Sequence, residues 1–339
     1  MNPFIVSTQI VTPLNSSISE NKLHTPVLFI IFNRPDFTQA VFNEIRKAQP
    51  TQLFIAIDGP RKDRPDDVEK CRKVLEITQQ VDWDCKISTL IQDKNLGCKI
   101  GESTAMDWFF SHVEEGIILE DDTVPDQSFF MFCQELLEKY RDDQRVMMIS
   151  ADNFQFGRRR TEDSYYFSKY FFTWGWATWR RAWKCYDIKM KQWPVIRDGH
   201  FLMDILNDWF AVKYWSWILE ETYNDKIDTW DYQWILSCWI HGGLSITPNT
   251  NLVSNIGFGE FAVHTTDKNS IFSNIPISPM RFPLNHPPFM IRDDLADRFS
   301  QKTFYSIESL VIYILVNMLR RIRKNITRSS HVTTDMNRS

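Results

Sequence analysis

Five short apolar runs rich in β-branched residues punctuate the first half of the chain: Val27 to Phe32, Leu53 to Ile57, Ile87 to Ile91, Gly116 to Leu119 and Val146 to Ile149. Between them, Phe37 to Lys47, Asp66 to Gln80, Glu102 to Val113 and Ser128 to Tyr140 carry apolar residues at helical spacing, with Ser103 or Asp126 placed to cap a start. Strands that are apolar throughout, alternating with amphipathic helices, predict an α/β fold in which a mostly parallel sheet is flanked by helices. The 339 residues suit one large domain with tails. We expect a loose, Ser/Asn-rich tail over 1–23, a domain over 24–290, and a C-terminal helix and basic tail over 291–339.

Open α/β sheets bind ligands beyond the carboxyl ends of their strands. Each of the first four strands is followed there by polar residues: Asn33-Arg34-Pro35, Asp58-Gly59-Pro60-Arg61, Asp93-Lys94-Asn95-Leu96-Gly97 and Glu120-Asp121-Asp122. The acidic triplet is the most pointed of these. Mg²⁺ or Mn²⁺ needs only one or two protein carboxylates when phosphate oxygens and water complete its shell. The plainer reading is a solvated acidic turn or a helix cap. Arg34 offers a planar fork for a phosphate or a base, and otherwise a solvated loop charge. Asp58 can equally begin an Asp-Gly turn. Asn95 and Gly97 precede a helix whose free N–H groups and close backbone approach suit a nucleotide, whereas Lys99 reads as a solvated lysine.

The formal charge of −4 leaves no basic surplus for a nucleic-acid backbone, so nucleic acid is not an expected partner. Cys71, Cys85, Cys98, Cys133, Cys185 and Cys238 stand singly, without the close pairs of a zinc site or the density of a disulfide scaffold, and read as reduced residues of a cytoplasmic protein. Met1 to Glu20 has neither a basic residue nor a long apolar core, so no signal or anchor is expected there. Near the other end, apolar Leu310 to Val316 is too short to span a bilayer and is followed by Arg320-Arg321-Ile322-Arg323-Lys324. Such a segment either packs as a helix before a loose tail or lies on an anionic membrane face, giving peripheral contact with the inner surface of a cell membrane.

From Tyr165 to Gly259 aromatic residues crowd the chain, including most of the tryptophans. Rigid rings can stack on the apolar side of a sugar, but most aromatics serve as core.

In order along Pro26 to Thr266, these segments resemble the nucleotide-sugar glycosyltransferases of the GT-A fold, most closely the N-acetylglucosaminyltransferase I type. Glu120-Asp121-Asp122 with Pro125 and Phe129-Phe130 resembles that family's acidic metal motif and the helix behind it, and Met148 to Asn153 its next strand and loop. Phe171-Phe172-Thr173-Trp174-Gly175-Trp176, ending in Trp183, resembles its acceptor-side segment with one residue fewer before the glycine. Trp230-Asp231-Tyr232-Gln233-Trp234 resembles its Trp-Asp-Asp-Trp catalytic segment with one extra residue, and Pro248 to Ser254, Gly257 and His264 its closing loop. Trp174 to Trp183 is also similar to bacterial surface-polysaccharide transferases of the same fold. No counterpart of the membrane anchor usual in Golgi members is expected at this N-terminus.

The resemblance implies a metal-dependent, inverting transfer of a sugar, N-acetylglucosamine among the candidates, from a UDP-sugar to a hydroxyl of a glycan or lipid-linked acceptor. It assigns Mn²⁺ or Mg²⁺ to Asp122, the ribose or a metal-bound water to Asp121, the sugar or the loop geometry to Glu120, and the uracil imide to Asp58. Arg34, Asn95 and His264 join the donor site, while Trp174, Gly175, Trp176 and Trp230 form an aromatic acceptor side. Asp231 becomes the general base that takes the acceptor's proton, with Asp228 its rival. Two other classes stay open. A nucleotidyltransferase shares such a sheet, although no Gly-rich Arg-Lys loop follows the first strand. A non-catalytic glycan- or membrane-binding protein would use the aromatic half and basic tail alone.

Overall fold

The computed structural model describes residues 4–11, 22–259 and 270–305. His264, Leu310 to Val316 and the basic run from Arg320 lie outside the described residues. Along the chain run β1 (Phe4–Val11), β2 (Val27–Ile31), α1 (Pro35–Ala48), β3 (Gln52–Ile57), α2 (Asp66–Thr78), β4 (Cys85–Gln92) and α3 (Gly97–His112). Then follow β5 (Glu115–Glu120), β6 (Thr123–Pro125), α4 (Gln127–Lys139), β7 (Val146–Ser150), β8 (Tyr165–Ser168), β9 (Trp176–Trp179), α5 (Arg180–Trp183), α6 (Trp193–Asp198) and α7 (Leu202–Leu206). The last are α8 (Trp209–Tyr223), α9 (Asp231–Ile240), β10 (Leu244–Pro248), β11 (Val253–Asn255) and α10 (Asp294–Phe304).

Nine strands form one sheet in the order β1-β4-β3-β2-β5-β9-β7-β10-β8, and β6 pairs with β11 apart from it. The expected parallel pairing holds for β4-β3-β2-β5. Beyond β5 the sheet is mixed, because β9 is inserted antiparallel between β5 and β7, and β8 lies antiparallel on β10. The parallel strands are buried on both faces. Phe29 and Ile31 pack with Phe42 and Phe129 on one side, whereas Leu28, Phe54 and Ala56 pack with Met106, Phe109 and the tryptophan-rich helices on the other. That two-sided burial is why these strands read as continuous apolar runs.

One expectation about the ends needs correction. The tail over 1–23 contains a strand, since β1 pairs antiparallel with β4 along its whole length, Phe4 opposite Gln92 to Val11 opposite Cys85. Its Ile, Val and Thr residues favour extended structure, and β4 offers an open edge. The chain past 290 is likewise joined to the domain: the Ser168 hydroxyl donates to Asp297 Oδ1 at 2.6 Å, and Gln155 Nε2 donates to Ser300 Oγ at 2.9 Å. Among the described residues no helix is long and apolar enough to cross a membrane.

Candidate functional site

A cavity of about 320 Å³ opens at the carboxyl ends of β2, β3, β4 and β5. Arg34, Asp58, Asn95, Glu120 and Asp121 all line it, as do Phe32, Gly97, Glu102 and Asp228. Residues far apart in sequence thus meet because parallel strands deliver their following loops to one edge.

At one end Asp58 organises the loop after β4. Its Oδ1 accepts from the backbone N–H groups of Gly59 and Leu96, both at 2.9 Å, and its Oδ2 accepts from Asn95 Nδ2 at 2.7 Å. The Asp-Gly turn and the contact with Asn95 therefore coexist. Burial pushes the Asp58 carboxyl up to about 6, with the Leu96, Gly59 and Gly97 backbone donors pulling the other way.

The helix behind this loop, α3, begins at Gly97, earlier than expected, and Ser103 does not cap it. The Ser103 hydroxyl instead donates to the Lys99 carbonyl at 2.6 Å, inside the helix. The cap comes from across the molecule: Asp228 accepts from the N–H groups of Cys98 at 3.1 Å and Lys99 at 3.0 Å. Gly97 must be glycine here, because its φ is +78° and a Cβ would lie 2.7 Å from Asp228 Oδ2. Asp126 does cap α4, accepting from Ser128 N at 2.9 Å.

At the other end Arg34 bridges the carboxylates after β5. Its Nη1 donates to Asp122 Oδ2 at 2.7 Å and its Nη2 to Asp121 Oδ1. Burial opposes the charge on Arg34, but Asp121 and Asp122 together outweigh it and raise its pKa further. Burial raises the Asp121 carboxyl, with Arg34 opposing and Asp122 adding to the rise. Glu120 is pushed well above the usual carboxylate range, first by burial and then by Glu102, Asp122 and Asp121.

The small β6–β11 sheet brings the chain near residue 257 onto this group. Ile256 N donates to the Asp122 carbonyl at 2.9 Å, and a Cβ on Gly257 would fall 2.0 Å from Asp122 Oδ2. Asp122 Oδ1 is buried and has no hydrogen-bond partner. Such an orphaned oxygen fits a cation, the more so because a carboxylate accepts and cannot donate. No group of three His, Cys, Asp or Glu side chains able to hold a metal occurs among the described residues.

Glu102 belongs to this cluster and carried no sequence motif. It sits on α3 with Ala105, Met106 and Phe109, three, four and seven residues on, all buried, so helical periodicity marks its face. Its Oε1 accepts from the Cys98 thiol at 3.2 Å, while its Oε2 is enclosed, outside ideal hydrogen-bond geometry but with the Trp230 indole close enough to act on the carboxyl. Burial pushes Glu102 up to about 8, opposed by the Cys98 thiol, reinforced by Asp231 and Asp122, and opposed again by the Trp230 indole.

Asp231 lies at the start of α9, where its Oδ1 accepts from the Thr229 hydroxyl and from Tyr232 N at 2.9 Å. It stands near enough to Glu102 to raise that carboxyl, though outside the lining of the cavity. Its rival Asp228 lines the cavity, but both of its oxygens serve α3.

The acceptor-side expectation needs correction. Trp176 is fully buried and stacks on Trp230, 3 % exposed, with ring centroids 5.4 Å apart, so both are core. Gly175 is buried in the turn that enters β9. Only Trp174 keeps partial exposure. Its N–H donates to Asp152 Oδ2 at 3.0 Å and its ring meets Phe258 edge-on at 5.6 Å. Asp152 was not anticipated; it is buried, its Oδ1 lacks a partner, and burial holds it well above the carboxylate range.

Compared with known proteins, the chain matches no family model and no curated protein.

Proposed function

We propose that the protein is a metal-assisted glycosyltransferase of the GT-A type, inverting, that moves a hexose or N-acetylhexosamine from a UDP-sugar to a hydroxyl of a glycan or lipid-linked acceptor. One observation carries the reading. A single cavity runs from Asp58 and Asn95 to Arg34 and Asp121, and Asp122, outside the lining but held by the same Arg34, keeps a buried carboxylate oxygen without a partner.

Asp58 and Asn95 orient the base, with Phe32 beside them in the wall. Arg34 stays charged, its fork held by Asp121 and Asp122, and places that charge where the diphosphate arrives. Asp122 would hold Mn²⁺ or Mg²⁺ through its free Oδ1, with Asp121 behind it; when bound, such an ion offsets negative charge on the departing diphosphate. Asp231 is the group to take the acceptor's hydroxyl proton, because no hydrogen bond to its Oδ2 occurs among the described residues, whereas Asp228 is committed to α3. Trp174 is the remaining ring for stacking on the acceptor. The basic tail as a membrane contact is part of the same proposal.

Calorimetric titration with UDP tests it. Mn²⁺ should strengthen UDP binding to the wild type by at least about tenfold, and Asp122→Asn should abolish that gain. If UDP binds no more tightly with Mn²⁺ than without, the reading fails. Release of pyrophosphate from a nucleoside triphosphate and sugar phosphate would point to a nucleotidyltransferase instead, and a product that keeps the donor's anomeric configuration would contradict inversion.

A further inference from the structure

A second and larger cavity, of about 880 Å³, lies between residues 153–164 and 275–285. Asn153, three residues past β7, and Asn249, the first past β10, both line it. β10 is parallel to β7, and β7 runs with β5 because β9 is antiparallel to both. The groove therefore opens at the sheet edge that carries the first cavity. Its walls are fastened to one another by their own hydrogen bonds. Asn285 N donates to Ser164 Oγ at 2.9 Å, Ser164 N to the Asn285 carbonyl at 2.8 Å, and Ser278 N to the Asn251 carbonyl at 2.9 Å. A ligand entering such a groove has little loop left to order.

The charge on these walls runs against that of the chain. Arg158, Arg159 and Arg281 line the groove with only Glu162 and Asp163, although the whole protein carries −4. Arg159 pairs with Glu162 at 3.1 Å, and Asp163 spends its oxygens on Thr161 Oγ1 at 3.0 Å and Asn285 Nδ2 at 3.1 Å. Arg281 is exposed and meets no acceptor among the described residues. Arg158 rests its guanidinium over the Phe299 ring, 4.2 Å from the centroid, and reaches no carboxylate among the described residues. Two planar cations are thus left for an oxyanion brought from outside. Beside them Phe156, 38 % exposed, joins Pro276, Pro279 and Pro283 in an apolar wall against which a sugar ring can lay its C–H face.

The groove also adjoins the acceptor side of the first site. Asn153 directly follows Asp152, whose Oδ2 accepts from Trp174 N at 3.0 Å. Asn251, in the groove, is five residues from Ile256, whose N–H meets the Asp122 carbonyl, a span of at most about 18 Å even when fully extended. Resting on the function proposed above, we propose that this groove holds the acceptor chain and that the acceptor is an acidic glycan. Its sugar rings lie along Phe156 and the prolines, and its carboxylate or phosphate groups are met by Arg158 and Arg281.

Fluorescence anisotropy with end-labelled probes tests this, using a galacturonate oligomer, a phosphorylated mannose oligomer, a neutral maltose oligomer and a polyglutamate peptide of similar length. Each is titrated with the wild type, Arg158→Gln and Arg281→Gln, and UDP with Mn²⁺ serves as the control. At least one acidic glycan should bind the wild type about tenfold or more tightly than the neutral one, and which of the two does so identifies the oxyanion. Each variant should lose about five- to tenfold toward that glycan and keep UDP binding within about twofold. The inference is overturned if the neutral oligomer binds as tightly as both acidic ones, or if either variant binds them unchanged. Polyglutamate binding as tightly as the glycans would assign the groove to acidic peptides and overturn it too, and a parallel loss of UDP binding would make the arginines merely structural. Failure of the wild type to bind UDP removes the function proposed above, whereas the comparison among glycans judges the groove.

Discussion

Replacing Arg34 by Met removes a guanidinium that touches both Asp121 and Asp122 and leaves a side chain of similar length. The two carboxylates, 3 % and 12 % exposed, then face each other unpaired. Taking one partner from a buried ion pair costs about 3–5 kcal/mol, and because the Arg34 side chain is itself 26 % exposed, the lower end, about 3 kcal/mol, applies. At about 2.1 cal/mol/K per residue, a chain of 339 residues unfolds with an entropy of roughly 0.7 kcal/mol/K, so Tm should fall by about 4 °C. The loss carries a pH signature. Burial already raises the Asp121 carboxyl, and without Arg34 it rises further, so protonation relieves the variant as a solution near neutral pH is brought to mildly acid pH. Thermal unfolding with a chelator at both pH values measures this, and added Mn²⁺ should stabilise the variant more than the wild type. A Tm change below about 1 °C near neutral pH, or an undiminished loss in acid, would refute the reasoning.

Three further outcomes are expected. Gly257→Ala places a methyl 2.0 Å from Asp122 Oδ2, so it should weaken Mn²⁺-dependent UDP binding by about tenfold while leaving metal-free UDP binding unchanged by calorimetry. In metal-free protein, the Glu102 carboxyl, pushed from its ordinary 4.5 to about 8, contributes stability that is complete below 4.5 and lost as pH rises through 8. Glu102→Gln should therefore melt with the wild type in acid and above it near pH 8 by several degrees; parallel curves would contradict this. Asp58→Asn turns an amide N–H₂ toward donors that Asp58 now satisfies, at about 1–2 kcal/mol, so Tm should drop by about 2 °C and UDP binding should weaken.

Much of the first half was legible in sequence because β2, β3, β4 and β5 bury both faces, and such strands must be apolar throughout. Asp126 was readable as a cap because its partner, Ser128, is local. Asp228 was not readable as the cap of α3, since 130 residues separate it from the Cys98 N–H it accepts from. Separations of 87 and 88 residues likewise hid the Arg34 bridge, although Arg34, Asp121 and Asp122 were each singled out. β1 escaped because one short extended segment says nothing about which open edge it will join. The aromatic half misled at Trp176 and Trp230, where residue type alone does not separate a ring that faces a ligand from one that fills the core. Glu102 had a signal in its spacing from Ala105, Met106 and Phe109, but a lone glutamate in a helix does not ask for explanation until its surroundings are known.

The reach of Asp228 onto α3 ties the aromatic half to the Asp58 edge of the sheet. Lys99 adds a second tether, its ammonium 2.5 Å from Asp225 Oδ1 in the same connection between α8 and α9. Any shift of that connection unclasps the opening turn of α3, and with it the backbone N–H of Leu96 that steadies Asp58. Under the function proposed above, seating of a nucleotide and the posture of Trp230-Asp231 would be reciprocally coupled: whatever favours one arrangement at either place would favour its counterpart at the other by the same free energy.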